Sequence, residues 1–194
     1  SFPTRRSSDL EVEEETAKAN IEEEAASVIA ERTKIIKDAA DAKKAEVDAA
    51  LAAAVPAMES AKNAVKGLSV KSIGEMKGFG TPPAGVPDVG KCVFILKGEY
   101  SAKKQEWPMV QNMMKDPAKF MNMLETYNKE AIPDKALELL KPIMAQDFFN
   151  EETMMKKSSA AANICKWVIA VVTYNGIYRN TKPLMDAAAE AEGI

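Results

Sequence analysis

Residues 11–72 form a segment rich in Ala, Glu and Lys that contains one proline, Pro56, and one glycine, Gly67. Because Ala, Glu and Lys all have high helix propensity, this segment is predicted to be one long helix. At about 1.5 Å per residue such a helix would measure roughly 100 Å. A helix of that length in water needs a partner along an apolar seam, so the sequence predicts a coiled coil here.

Apolar residues recur at heptad spacing in the second half of this segment, at Val47, Leu51, Ala54, Met58, Ala61, Val65 and Leu68. An upstream series has the same spacing in a different frame, at Ile21, Ala25, Val28, Arg32, Ile35, Ala39 and Ala42. The two frames do not join in phase, and many members are small, so the seam specifies its register weakly. The pattern fits either an ordinary imperfect coiled coil or one that slips between registers. Pro56 is expected to bend the helix without breaking it.

The pattern changes at KGFGTPPAGVP, residues 77–87, where three glycines and three prolines end the long helix. Short helices are predicted after it, one ending near Lys97 and others beginning at Trp107-Pro108, Asp116-Pro117 and Pro133. Asn150 is expected to cap a last helix that runs unbroken through Pro183. This helix is apolar on nearly all sides over residues 164–172, which indicates the centre of a bundle.

The expected fold is therefore all-α: a long antiparallel coiled-coil stalk, with a truncated returning helix, capped by a small globular bundle of short helices. The outgoing helix is assigned to residues 11–81, the bundle to 82–178 and the start of the returning helix to 179–194. The closing helix is expected to pair with roughly residues 60–81 and to leave the chain before about residue 55 without a partner. Residues 1–10, SFPTRRSSDL, read as a translated sequencing-adapter sequence and are interpreted as an artefactual, disordered tail.

The composition argues against several classes of enzyme. The chain has no histidine, which removes the commonest general base and metal ligand. Its two cysteines, Cys92 and Cys165, lie in apolar runs and are expected to be buried thiols. GVPDVGKC, residues 85–92, resembles a phosphate-binding loop, but no strand precedes it and cysteine replaces the metal-binding hydroxyl. The fragment is therefore predicted to be non-catalytic, with no cofactor and no metal site.

Charge is distributed unevenly along the chain. Residues 82–182 carry 14 Lys and Arg against 11 Asp and Glu, a net charge of +3, whereas residues 11–81 carry 10 against 14, a net charge of −4. A mildly basic middle between acidic flanks favours an acidic protein partner and is too weak to indicate nucleic acid. The longest apolar run is too short for a membrane span. No nucleic-acid or membrane partner is expected.

Several stretches carry a family resemblance: AVPAMESAKNAVKGLSVKSIGEMKGFGTPPAGV, CVFILKGE, FMNMLETYNKEAIP and MMKKSSAAANICKWVIAVVTYNGIYRNTKPL. In this order they resemble the stalk and microtubule-binding domain of a dynein heavy chain, with details typical of axonemal, outer-arm chains. The resemblance implies a stalk tip that binds tubulin in the cytoskeleton of a cilium or flagellum. It also implies that ATP and Mg belong to a distant motor ring of the parent chain, coupled to track affinity through the stalk register.

The resemblance implies a set of microtubule-binding residues: Lys156, Glu152, Lys157, Lys91 and Lys115. Lys156 matches a tubulin-facing basic residue on the last helix of the head, and Glu152 matches an acid one turn earlier. Pro87 stands where some members of the family carry a lysine. Met113, Met114, Met121, Met123, Met154 and Met155 are interpreted as core residues. The alternative hypothesis is a structural coiled-coil tether whose basic head binds another acidic protein.

Overall fold

A computed structural model of the chain describes residues 3–193. The helices are α1 (Pro3–Ala52), α2 (Val55–Lys66), α3 (Val70–Lys77), α4 (Val86–Leu96), α5 (Trp107–Met113), α6 (Pro117–Glu125), α7 (Asp134–Met144), α8 (Glu151–Met155) and α9 (Ser159–Ala191), with a 3-10 turn at Ala102–Gln105. Residues 3–193 contain no β-strand, which confirms the all-α prediction. These residues form two units, one of Ala49–Pro183 and one of residues 3–48 with residues 184–193.

Residues 11–81 do not form the single continuous helix that the sequence predicts, because they are divided among α1, α2 and α3. A turn at residues 53–54 separates α1 from α2, and Pro56 lies in the first turn of α2, where its missing N–H costs nothing. A second break precedes α3, where the Ser69 hydroxyl accepts the Ser72 N–H at 3.0 Å in a capping box. The helix also begins at Pro3, so the described part of the supposed disordered tail is helical.

The larger unit is organised around α4 and the first half of α9. Eight of the eleven residues of α4 are buried, and the helix contacts both α5 and α7. Over residues 164–172, α9 is buried except for three partly exposed positions, which confirms its prediction as the centre of the bundle. An 18-residue window of α9 reaches a mean hydropathy of 1.2, but 67% of it is buried in the structure. This is the behaviour of a core helix.

The predicted starts of the short helices are confirmed by their caps. Asp116 Oδ1 accepts the Lys119 N–H at 3.1 Å at the start of α6, and Asn150 Oδ1 accepts the Thr153 N–H at 2.7 Å at the start of α8. Pro108 lies in the first turn of α5, and Pro133 immediately precedes α7. These signals act within one helical turn, which is why the sequence alone reveals them.

Within the larger unit, α9 runs antiparallel to α2. Asn163 Nδ2 donates to the Gly67 carbonyl at 3.3 Å, and Tyr174, further along α9, packs against Ala54 and Ala57. The heptad positions from Val47 to Leu68 are all buried or partly buried, as the seam predicts. The pairing is nevertheless shifted from the expected residues 60–81, because α9 contacts α2 from Gly67 back to Ala54.

The smaller unit contains most of α1 together with residues 184–193. Residues 7–39 of α1 are exposed, including the apolar side chains Leu10, Val12, Ile21, Val28, Ile29, Ile35 and Ile36. Burial begins beyond this stretch, with Val47 only 9% exposed. The predicted exposure of α1 before about residue 55 is therefore confirmed for residues 7–39 and wrong at Val47.

The loop between α6 and α7 is held against α9 by hydrogen bonds from Asn175 and Arg179 of α9. Asn175 is fully buried, and its Nδ2 donates to the Lys129 carbonyl at 2.9 Å and the Glu130 carbonyl at 3.3 Å. Arg179 donates from Nε to Asn175 Oδ1 at 2.8 Å and also contacts the Asp134 carboxylate and the Ile132 carbonyl. These contacts fix the loop through hydrogen bonds whose polar groups would be costly to leave unpaired.

Candidate functional site

The motif GVPDVGKC, residues 85–92, owes its two glycines, Gly85 and Gly90, to backbone conformation and close packing. Gly85 has a φ of +91°, a conformation that side chains rarely adopt, and an added Cβ would lie 2.6 Å from Phe148 Cδ2. Gly90 lies inside α4, where an added Cβ would lie 2.4 Å from Val110 Cγ1. The motif follows helices and a turn, and residues 3–193 have no strand to precede it. It therefore lacks the strand–loop–helix arrangement of a phosphate-binding loop.

Helix α8 presents an exposed surface of mixed chemistry. Met154 is completely buried and holds the short helix against the core, while Met155 is 47% exposed. Glu151, Glu152, Met155 and Lys156 together line a shallow groove, which we call the α8 groove. The structure thus brings Glu152 and Lys156 together, as the sequence analysis expected, and places an apolar thioether beside them. Met155 was wrongly interpreted as a core residue.

Lys156 does not lie on the last helix, contrary to the prediction. Helix α8 ends at Met155, and the Lys157 and Ser158 amides both donate to the Met154 carbonyl at 2.9 Å. A new helix then begins, because the Ser158 hydroxyl accepts the Ala161 N–H at 3.2 Å. The first serine of the KKSS sequence, Ser158, acts as an N-cap, which divides the stretch predicted to be one continuous helix.

Lys157 and Lys91 have different surroundings from Lys156. The Lys157 ammonium donates to the backbone carbonyl of Ala84, so this partly buried lysine ties α8 to the turn before α4. Lys91 is half-buried on α4, one turn beyond Pro87, and Pro87 occupies the first turn of that helix. Lys157 therefore has a local structural contact, whereas Lys156 is exposed.

Lys115 lies in a separate groove that shares no lining residue with the α8 groove. Its lining residues are Lys97, Asn112, Met113, Lys115, Asp116, Pro117, Lys119, Phe120 and Met123, and we call this surface the lysine groove. Lys115 and Lys156, which the resemblance assigns to one binding face, therefore lie in different grooves. Lys97 and Lys119 were not predicted as site residues, because they become neighbours of Lys115 only when α4, α5 and α6 pack together.

The buried cysteines carry no reactive thiolate. Burial, together with a smaller contribution from the nearby Glu151 carboxylate, raises the pKa of the Cys165 thiol to about 12. Burial likewise raises the pKa of the Cys92 thiol, more than the Lys91 ammonium lowers it. Among the described side chains no group of three or more Cys, Asp or Glu could hold a metal ion. Both cysteines are therefore inert core residues under neutral conditions.

Comparison with known proteins finds dynein chains as relatives. Dynein axonemal heavy chain 17 of Mus musculus is 31% identical over 179 residues, which is 91% of this chain and 4% of that protein. The alpha chain of the flagellar outer-arm dynein of Chlamydomonas reinhardtii is 31% identical over 153 residues, which is 77% of this chain and 3% of that protein. This chain thus spans only a small part of the length of these relatives.

A solved structure and a family model complete the comparison. The microtubule-binding domain of dynein-C has a TM-score of 0.59 and 28% sequence identity, over 71% of this chain and 94% of that domain. Residues 9–193 match the family model described as the microtubule-binding stalk of dynein motor. With its all-α fold and matching sequence over nearly its whole length, the chain belongs to the dynein microtubule-binding stalk family.

Proposed function

We propose that this chain binds tubulin through the α8 groove, with Lys156 as the principal contact. The observation that carries the proposal is the exposure of Lys156 and Glu152 beside Met155 on a helix anchored by the buried Met154. An exposed apolar side chain between opposite charges can exclude water from the charged contacts as a partner docks. Glu152 then pairs with a basic group of tubulin or orients Lys156 from one turn away.

Charge distribution supports an acidic track as the partner. Residues 82–182 have a net charge of +3, while the preceding residues 11–81 have a net charge of −4. Long-range attraction between a basic surface and an acidic filament speeds association and is screened by salt beyond about 8–10 Å. Lys157 and Lys91 contribute to this field with smaller individual effects, since Lys157 also bonds the Ala84 carbonyl and Lys91 is half-buried.

Replacing Lys156 by alanine tests the proposal. An exposed ion pair contributes about 0.2–1 kcal/mol, whereas truncating one member of a desolvated pair costs about 2–5 kcal/mol. If Lys156 is desolvated against tubulin, microtubule co-sedimentation should show affinity reduced at least about tenfold, which is about 1.4 kcal/mol. Circular dichroism should show an unchanged helical fold, because Lys156 lies at the exposed end of α8.

The matched control is Lys141→Ala, which removes the same charge from an exposed position on α7. It should change microtubule affinity by less than about twofold, the effect of a weak, screened charge. Equal affinities of Lys156→Ala and the parent chain at every salt concentration would show that the α8 groove is not the docking surface. Equal losses in Lys156→Ala and Lys141→Ala would indicate a diffuse charge effect instead of a contact.

The parent protein is proposed to be an ATP-hydrolysing, minus-end-directed motor of a cilium or flagellum axoneme, while this fragment itself is non-catalytic. The axonemal and outer-arm names of the relatives support this assignment. In this proposal ATP and Mg bind the distant AAA+ ring, and the register of the stalk coiled coil carries the nucleotide state to the track-binding end. The exposed apolar side chains of α1 are then covered by the returning stalk helix of the same parent chain. Other dynein chains are further partners, and neither nucleic acid nor a membrane is one.

A further inference from the structure

A partly enclosed cavity in the larger unit is lined by residues of α2, α6, α9 and the loop after α6, and we call it the α2–α6 cavity. Its apolar lining residues are all buried: Ala61, Val65, Leu124 and Trp167. Its volume is about 260 Å³. Sites for drug-sized ligands measure roughly 300–1,000 Å³, so this cavity suits a smaller molecule.

Trp167 is held in one position by a hydrogen bond and a ring contact. Its Nε1 donates to the Leu124 carbonyl at 3.2 Å, and its ring meets the Tyr127 ring edge to face at a centroid distance of 5.4 Å. An indole has no other N–H, so Trp167 can offer a ligand only apolar contact. Because this side chain is already fixed, it loses little conformational freedom when a ligand binds.

The charged residues of the lining are more exposed than the apolar ones. Lys62 and Lys66 lie four residues apart on α2, so they share one side of that helix, and both are exposed. Glu125, the last residue of α6, is exposed, and Lys129 is partly exposed. None of the three ammonium groups lies within ion-pair distance of a carboxylate in the part of the chain that the structure describes. Three lysines against one glutamate give the lining a net charge of +2.

Lys129 is positioned by the same helix that supplies Trp167. The Lys129 carbonyl accepts the Asn175 Nδ2 hydrogen bond at 2.9 Å, and the Lys129 ammonium lies 5.7 Å from the centroid of the Tyr174 ring. Asn175, Tyr174 and Trp167 all belong to α9. The cavity therefore has an aromatic residue and a cationic residue that are both in place before any ligand arrives.

We propose that the α2–α6 cavity binds a small monocarboxylate with an apolar body, of which phenylpropanoate and octanoate are an aromatic and an aliphatic example. Burial of the apolar body against the apolar lining supplies affinity, and the net positive charge of the lining selects the carboxylate. A metal cation would be repelled by that charge. A neutral apolar molecule would fill the same volume without this attraction.

Titration of the full chain with phenylpropanoate, followed by proton–nitrogen NMR of the indole groups, tests the proposal. The chain has two tryptophans, and the Trp107→Phe variant assigns their signals. The Trp167 signal should shift saturably with a Kd of about 1 mM or lower, the affinity open to so small a ligand, while the Trp107 signal should not shift. Phenylpropanol, which keeps the apolar body and lacks the charge, should bind at least about fivefold more weakly. The tighter of phenylpropanoate and octanoate then identifies the body as aromatic or aliphatic.

Charge variants of the lining should change the affinity in opposite directions. Lys62→Ala/Lys66→Ala should weaken phenylpropanoate binding at least about fivefold, whereas Glu125→Gln, which removes a negative charge from the lining, should strengthen it about twofold. The matched control Lys71→Ala/Lys141→Ala removes two exposed lysines of the same unit that do not line the cavity, and it should bind like the parent chain. Circular dichroism checks the fold of each variant, and Glu125→Gln keeps the proposal testable if the double lysine change lowers the helical content.

Three results would overturn the proposal: no saturable shift of the Trp167 signal, equal affinities for phenylpropanoate and phenylpropanol, or equal losses in the lysine variant and its control. Weaker binding by Glu125→Gln would also contradict it, because the carboxylate would then not be held by the positive charge of the lining. The cavity shares no lining residue with the α8 groove or the lysine groove, and the assay contains no microtubules. Its outcome is therefore independent of the Lys156→Ala result.

Discussion

Gly90 offers a sharp test of how the larger unit is packed. The residue lies on α4 against Val110 of α5, and an alanine Cβ would come within 2.4 Å of Val110 Cγ1 and 3.0 Å of Cγ2. Val110 is fully buried, and its β-branched side chain has little rotamer freedom. Overpacking of this kind typically costs about 1–3 kcal/mol. Alanine recovers up to about 1 kcal/mol of helix propensity over glycine, so Gly90→Ala should lower the free energy of unfolding by about 1–2 kcal/mol.

Urea denaturation followed by far-ultraviolet circular dichroism measures this change. Gly74→Ala on α3 is the matched control, because an added Cβ there meets no atom within 4 Å. With no clash to oppose the gain in propensity, this control should raise the free energy of unfolding by up to about 1 kcal/mol. The two variants should therefore shift the urea midpoint in opposite directions.

A double-variant cycle identifies the atoms responsible. Val110→Ala alone removes buried methyl groups and should cost at least about 1.6 kcal/mol, at about 0.8 kcal/mol for each carbon plus a cavity term. Combined with Gly90→Ala, it removes the clash, so the double variant should be more stable than the sum of the single changes by about 1 kcal/mol or more. Strict additivity, or a stabilising Gly90→Ala, would refute the packing of α4 on α5 described above.

The loop between α6 and α7 and the buried thiols give further expectations. Asn175→Ala should lower the free energy of unfolding by about 1–3 kcal/mol, since it removes three hydrogen bonds made by a fully buried side chain, whereas Asp134→Ala, at an 82%-exposed side chain, should cost at most about 1 kcal/mol in the same urea assay. Similar losses of stability in both variants would contradict this distinction between a buried and an exposed side chain. Cys92 and Cys165 should react with a thiol reagent at mildly alkaline pH only after unfolding, because burial raises the pKa of both thiols above the ordinary value of 9.0. Since the folded pKa values are the higher ones, their contribution to stability should be present below pH 9.0 and decline as pH rises towards about 12. Rapid labelling of the folded chain would show that the thiols are accessible.

Local sequence signals predicted the all-α class and most helix starts. Asp116 and Asn150 each satisfy an amide three residues away, and Pro108 lies in a first helical turn, so their effects are decided within a few residues. The heptad series from Val47 to Leu68 likewise predicted which positions would be buried, because helical periodicity places them on one side. Ser69 and Ser158 also cap helices, but each lies inside a stretch predicted to be one continuous helix, so neither was recognised as a helix boundary.

The candidate sites depended both on the local spacing of residues in the sequence and on the tertiary packing of the helices. Glu152 and Lys156 lie four residues apart, so the sequence alone placed them near each other, and the α8 groove retains that neighbourhood. The pairing of α9 with α2 was decided by long-range contacts such as Asn163 with Gly67. Likewise, Lys97, Lys115 and Lys119 became one groove only when α4, α5 and α6 packed together. Helix propensity and capping act over one or two turns, whereas the neighbours of a side chain across helices are selected by burial of the whole apolar core.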